Sequence, residues 1–122
     1  MAKPRLLVID DEQTFTQLIV QYFKIHGFDV YTANTVEEAL VAYKRHQPPV
    51  VLLDFNMPLV NGDKFLPLLQ DINPMVRVIV VSGCTEEEVE EKFRGLGYFG
   101  FFEKGALSLD VLRSKVNEAL AY

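Results

Sequence analysis

The sequence predicts an α/β fold built on one parallel sheet, and two observations carry that prediction. Five short apolar runs rich in β-branched and aromatic residues alternate with five segments whose apolar residues recur every three or four positions. The middle runs, VVLL and VRVIVV, are almost continuously apolar, as strands covered on both faces are. With 122 residues, 49% of them hydrophobic, the chain is long enough for one sizeable core and too short for two, so residues 1–122 read as a single domain.

The elements follow in order. A strand over 5–9 leads into a helix with Phe15, Leu18, Ile19, Tyr22 and Phe23 on one face, closed by Gly27. A second strand over 28–33 precedes Thr35 and Glu38, whose spacing is that of a capping box, and a helix buries Val36, Ala39, Leu40 and Tyr43. The third strand, 50–53, is followed by a helix with Phe65, Leu68, Leu69 and Ile72. The fourth, 76–81, is followed by a second capping-box pair, Thr85 and Glu88, and by apolar Val89, Phe93 and Leu96 before Gly97. The fifth, 98–102, leads to a last helix with Leu109, Leu112, Val116, Ala119 and Leu120. No linker, repeat or low-complexity segment interrupts the pattern. Short βα connections of one handedness give parallel strands with helices on both faces.

Composition excludes several classes of function. A net charge of −5 disfavours nucleic acid and anionic membrane as main partners, because both reward a basic face. No apolar run approaches the roughly 20 residues of a spanning helix, and the start MAKPRLLVIDDE lacks a signal-peptide core. A single cysteine, Cys84, cannot form an internal disulfide. A cytoplasmic protein is expected.

In parallel sheets the working crevice lies at the carboxyl ends of the strands. There the sequence sets Asp10 and Asp11 after the first strand, Asp54 after the third, Ser82 after the fourth and Lys104 after the fifth. Like-charged acids beside the interior repel one another and raise one another's pKa, so a compensating charge is required. A nucleotide phosphate would call for a glycine-rich turn, and DDEQTF has none. One cysteine and two distant histidines offer no soft-metal spacing. Carboxylate oxygen suits a hard cation such as Mg2+.

The motifs VIDDE, LLDFNMP, NG, VSG and FFEK, in this order and at these strand ends, resemble the receiver domain of bacterial two-component response regulators of the chemotaxis-regulator type. The resemblance covers essentially the whole chain. It implies a flavodoxin-like (βα)5 fold with strand order 2-1-3-4-5, and phosphoryl transfer from a sensor histidine kinase or phosphotransfer protein to Asp54. Mg2+ would be held by Asp11, Asp54 and the backbone carbonyl of Asn56, with Asp10 acting mainly through water. Lys104 would contact the phosphoryl oxygens, Ser82 would supply the switch hydroxyl and Phe101 the aromatic that turns inward. The output would pass to a downstream protein or a missing output domain. The chain would catalyse only its own phosphorylation and dephosphorylation.

Plainer readings stand beside these. Asp11 could cap the first helix, Ser82 could be a turn serine and Phe101 a core aromatic. His26 and His46 sit at helix carboxyl ends, where a cation is favoured; Met57 and Pro58 shape a loop. Cys84, two residues beyond Ser82, is either a small filler or a residue that governs access to the phosphoryl group. Gly105 departs from the family's usual proline, so the preceding bond should be trans. Glu86, Glu87, Glu88, Glu90 and Glu91 suit the amino end of a helix or an acidic docking face. An interaction module without regulated phosphorylation is the alternative function. A Mg2+-dependent phosphohydrolase is weaker, because Asn56 stands where such an enzyme needs a proton-transferring acid.

Overall fold

The computed structural model describes residues 2–56 and 62–121; Met57, Pro58 and the Asn61 of the NG motif lie outside these. Its elements are β1 (Arg5–Ile9), α1 (Gln13–Ile25), β2 (Asp29–Ala33), α2 (Val36–His46), β3 (Val50–Leu53), α3 (Gly62–Ile72), β4 (Arg77–Ser82), α4 (Glu86–Lys92), β5 (Gly100–Glu103), a 3-10 turn (Lys104–Ala106) and α5 (Leu109–Leu120). The strands form one five-stranded sheet in the order β2-β1-β3-β4-β5, parallel throughout. This is the flavodoxin-like arrangement the sequence predicts.

Period-two alternation divides the core into two layers. Leu7, Ile9, Val51, Leu53, Val78 and Val80 face Ala39 and Tyr43 of α2, Phe65, Leu66 and Leu69 of α3, and Val89 of α4. Leu6, Val8, Val50, Leu52, Ile79 and Val81 face Ile19 and Phe23 of α1 and Leu112, Val116 and Ala119 of α5. Every residue of β3 is buried, which explains its unbroken apolar run, whereas the edge strand β2 is largely half-buried. Across the second layer, Tyr22 of α1 donates a hydrogen bond to the Asp110 carboxylate of α5, and Arg113 lies over the Tyr22 ring. The Asp110 hydrogen bond, then burial, raises the Tyr22 pKa.

Local chemistry fixes most boundaries. Thr85 and Glu88 form both arms of a capping box, at 3.3 and 3.1 Å, while Thr35 accepts from the Glu38 backbone N–H at 3.2 Å. Gly27 closes α1 with φ +87, a conformation that costs a Cβ-bearing residue energy. His26 caps α1, its Nδ1 lying 2.8 Å from the Tyr22 carbonyl oxygen, and His46 ends α2 stacked on Tyr31.

Three helices depart from the apolar spacing: in α1, Leu18 is half exposed, because the buried stripe narrows to Ile19 and Phe23. α4 ends at Lys92, short of Leu96, because Gly95 and Gly97 both turn left-handed and break the helical path. In α3 the buried face is Phe65, Leu66 and Leu69, leaving Leu68 and Ile72 exposed. Within α1, Phe23 is fully buried and Ile25 is 81% exposed. Phe23→Ala should therefore destabilise the fold by about 3–5 kcal/mol and Ile25→Ala by less than about 0.5 kcal/mol. Equal shifts of the two denaturant midpoints would contradict this packing.

Candidate functional site

The sheet ladder runs one residue past two strands. The Asp10 N–H donates to the Ala33 carbonyl at 3.0 Å, and the Asp54 N–H donates to the Ile9 carbonyl at 2.9 Å. Both acids are thus anchored by backbone before their side chains do anything. β1 and β3 are neighbours where the strand order reverses, so their ends open onto one crevice.

Both carboxylates are buried, with only 4% of each residue exposed, while Asp11 is exposed. Ligand oxygens of Asp10, Asp11 and Asp54 lie within 4.8 Å of one another, an oxygen-only donor set of the kind hard divalent cations prefer. Asp10 uses both oxygens: Oδ1 accepts from the Glu12 backbone N–H at 2.9 Å and Oδ2 pairs with Lys104 Nζ at 2.8 Å. Asp54 Oδ1 accepts from the Asn56 N–H at 3.2 Å, and its Oδ2 lies 3.6 Å from Lys104 Nζ. Lys104 also meets Glu12 Oε1 at 3.0 Å and sits 4.7 Å above the Phe15 ring.

Electrostatics matches this crowding. Burial, then the Asp10 charge, pushes the Asp54 carboxyl up to about 6; Lys104 and the Asn56 N–H pull the other way, and Asp11 adds a smaller upward push. Burial works against the Lys104 charge, yet hydrogen bonds to Asp10 and Glu12 and the Asp54 charge outweigh it, so its pKa is raised.

Ser82 ends β4 fully buried, and its Oγ accepts from the Cys84 N–H at 3.1 Å. Cys84 is half-buried, and the Asn56 side-chain amide donates to its Sγ at 3.3 Å, joining the loops after β3 and β4. Phe101 is half-buried against the α2–α3–α4 layer, opposite Val80 in the register. The Lys104–Gly105 bond is trans, as the glycine implies. Asp11 does not cap α1: Glu12 holds the cap position, and no side chain caps it there. Glu12 itself is the residue that sequence reasoning overlooked; the third acid of DDE was its only signal.

The response regulator receiver domain profile matches residues 6–117. The chain belongs to the response regulator receiver domain family. Its function class is therefore that of phospho-accepting receivers in two-component signalling. The cell cycle response regulator CtrA of Brucella ovis is 32% identical over 94 residues, 77% of this chain and 40% of that protein. The match thus spans two-fifths of the length of such relatives. The Francisella response regulator 1452 receiver domain superposes with a TM-score of 0.84 at 28% identity, over 95% of each chain. A CheY-like receiver from Methanospirillum hungatei shares the fold, with a TM-score of 0.90 at 23% identity over 98% of this chain and 94% of its own. Among the described residues no helix is long and apolar enough to cross a membrane.

A raised carboxyl favours the folded state only while it is protonated. Stability of the metal-free receiver should therefore fall as pH rises from the ordinary value of 3.8 to about 6, with no further loss from this group above that. Asp54→Asn removes this loss. At pH 7 it should stabilise the metal-free fold by an amount on the order of 1 kcal/mol after allowance for screening, and the gain should fade toward pH 4. Asp11→Asn should give a smaller gain of the same sign. Denaturant midpoints across pH 4–8 test both signs, and a constant difference would contradict the assignment.

Proposed function

We propose that this receiver accepts a phosphoryl group on Asp54 from a sensor histidine kinase or phosphotransfer protein in the cytoplasm, as a single domain over residues 1–122. The observation that carries the reading is the convergence of Asp10, Asp54 and Lys104: a buried carboxylate with an ammonium 3.6 Å away and a second acid beside it. Phosphoryl transfer needs in-line positioning and charge stabilisation more than covalent help from the protein. An Asp54 oxygen attacks phosphorus, the bond from phosphorus to the donor atom breaks, and its electron pair leaves with the donor. Lys104 moves onto the phosphoryl oxygens, forming charge-assisted hydrogen bonds.

Asp10, Asp11, Asp54 and the Asn56 backbone carbonyl are the groups we assign to Mg2+, and their oxygen-only chemistry fits it. Bound there, the ion would offset the acids' charge and that of the incoming phosphoryl group. Ser82 is the residue to which we assign the switch hydroxyl, since its Oγ only accepts from the Cys84 N–H and keeps its own proton free to donate, and Phe101 is the aromatic to which we assign the inward turn. The altered face passes the signal to a downstream protein or an output domain. The chain turns over no external substrate; it catalyses its own phosphorylation and dephosphorylation.

Intact-mass measurement with acetyl phosphate tests the reading. One phosphoryl group should add in the presence of Mg2+, and none to Asp54→Asn. Equal labelling of both proteins, or of neither, would return the chain to a plain interaction module. The Asn56–Cys84 contact supplies a second check. When beryllofluoride fills the site, the loop after Ser82 that bears Cys84 closes, and the Cys84 thiol should react severalfold more slowly with a thiol reagent. An unchanged rate would argue against loop movement.

A further inference from the structure

The contacts around Lys104 are lopsided. Its ammonium has three protons, and the two shortest contacts go to the β1–α1 side: Asp10 Oδ2 at 2.8 Å and Glu12 Oε1 at 3.0 Å. The Phe15 ring, one turn further along α1, adds a face at 4.7 Å on that same side. Asp54 Oδ2 is 3.6 Å away, outside the 2.7–2.9 Å typical of an N–H···O bond between ionised partners. Glu12 can reach the lysine because its backbone is tied down, its N–H donating to the other oxygen of Asp10. One buried carboxylate thereby fixes both partners of the Glu12–Lys104 pair.

Resting on the phospho-acceptor reading above, we propose that Glu12 is a positioning residue that parks Lys104 away from Asp54 and competes with the incoming phosphoryl group for the ammonium. Glu12 is suited to a releasable hold. Its side chain is 58% exposed against 16% for Lys104, and an exposed ion pair is weak enough to yield to a multiply charged phosphoryl group. Asp10 keeps its buried contact at 2.8 Å throughout, so Glu12 is the contact that can be exchanged for a phosphoryl oxygen. Asp10 cannot play this part, since it is buried and also belongs to the cation site, whereas Glu12 lies outside that cluster. Glu12 thus sets how readily Lys104 becomes available, without touching the phosphoryl group.

Glu12→Gln and Glu12→Asp separate this role from simple charge. Glutamine removes the charge; aspartate keeps it but is one methylene too short to hold the contact. Two rates are measured for wild type and both variants: reductive methylation of Lys104 in the metal-free, unphosphorylated protein, followed by peptide mass, and phosphorylation by acetyl phosphate with Mg2+, followed by intact mass. Both variants should raise both rates by about two- to fivefold, the range of an exposed ion pair. If Glu12→Asp matches wild type in both, or if Glu12→Gln speeds phosphorylation without changing Lys104 reactivity, the effect is repulsion of an anionic donor and the parking role is overturned. Failure of every protein, wild type included, to become phosphorylated overturns the phospho-acceptor reading instead, and the methylation rates then judge the Glu12 contact alone.

Discussion

Asp10 and Asp54 are buried side by side with one ammonium between them, and the architecture of this edge of the sheet follows from that constraint. Two desolvated carboxylates are tolerable only with compensating charge and hydrogen bonds, and removing one partner of such a group leaves an uncompensated buried charge. The chain provides compensation in layers. Backbone N–H groups of Glu12 and Asn56 each serve one oxygen, and Lys104 crosses from the far edge strand to serve the rest. With Asp11 and Glu12 counted, four acids still surround a single base. That excess of negative charge is a standing attraction for cations, and its donors are oxygen alone.

Precision at the site comes from rigid elements and adaptability from loops. Asp10 and Asp54 sit on strand ends whose hydrogen bonds extend the sheet, and the residues behind them are fully packed. Cys84 and Asn56, by contrast, sit on loops, held by a turn hydrogen bond from the Cys84 N–H to Ser82 at the end of β4 and by one amide–sulfur contact between them. A charge placed on Asp54 would therefore meet a floor anchored by the sheet and a rim tied by only two loop contacts. A two-state response requires this combination, because a bistable rim can be biased only if the floor does not yield with it.

Much of this was legible in the sequence because it rests on period and position. Unbroken apolar runs marked β3 and β4 as central strands, and acids directly after strands marked the crevice. The departures have physical causes. The spacing of Leu96 fits a helix continuing past Phe93, but periodicity carries no penalty for the two left-handed glycines that stop it at Lys92. Leu68 and Leu66 both suit a helical stripe, and only tertiary packing buries Leu66 in the layer shared with α2 and α4. Asp11 looked like a helix cap by position, yet the turn is closed by Asp10 instead. Glu12 reaches a lysine 92 positions away, and no local pattern encodes a contact of that range.

The seam between α1 and α5 has a kinetic meaning. Tyr22 and Asp110 are 88 residues apart, so their hydrogen bond closes nearly the longest loop in the fold. Loop-closure entropy must be met before so distant a pairing is rewarded, whereas the β1-α1-β2 unit relies on contacts close in sequence. On that physics the seam would close after the local pairings, the last helix docking onto a sheet that its neighbours have already assembled.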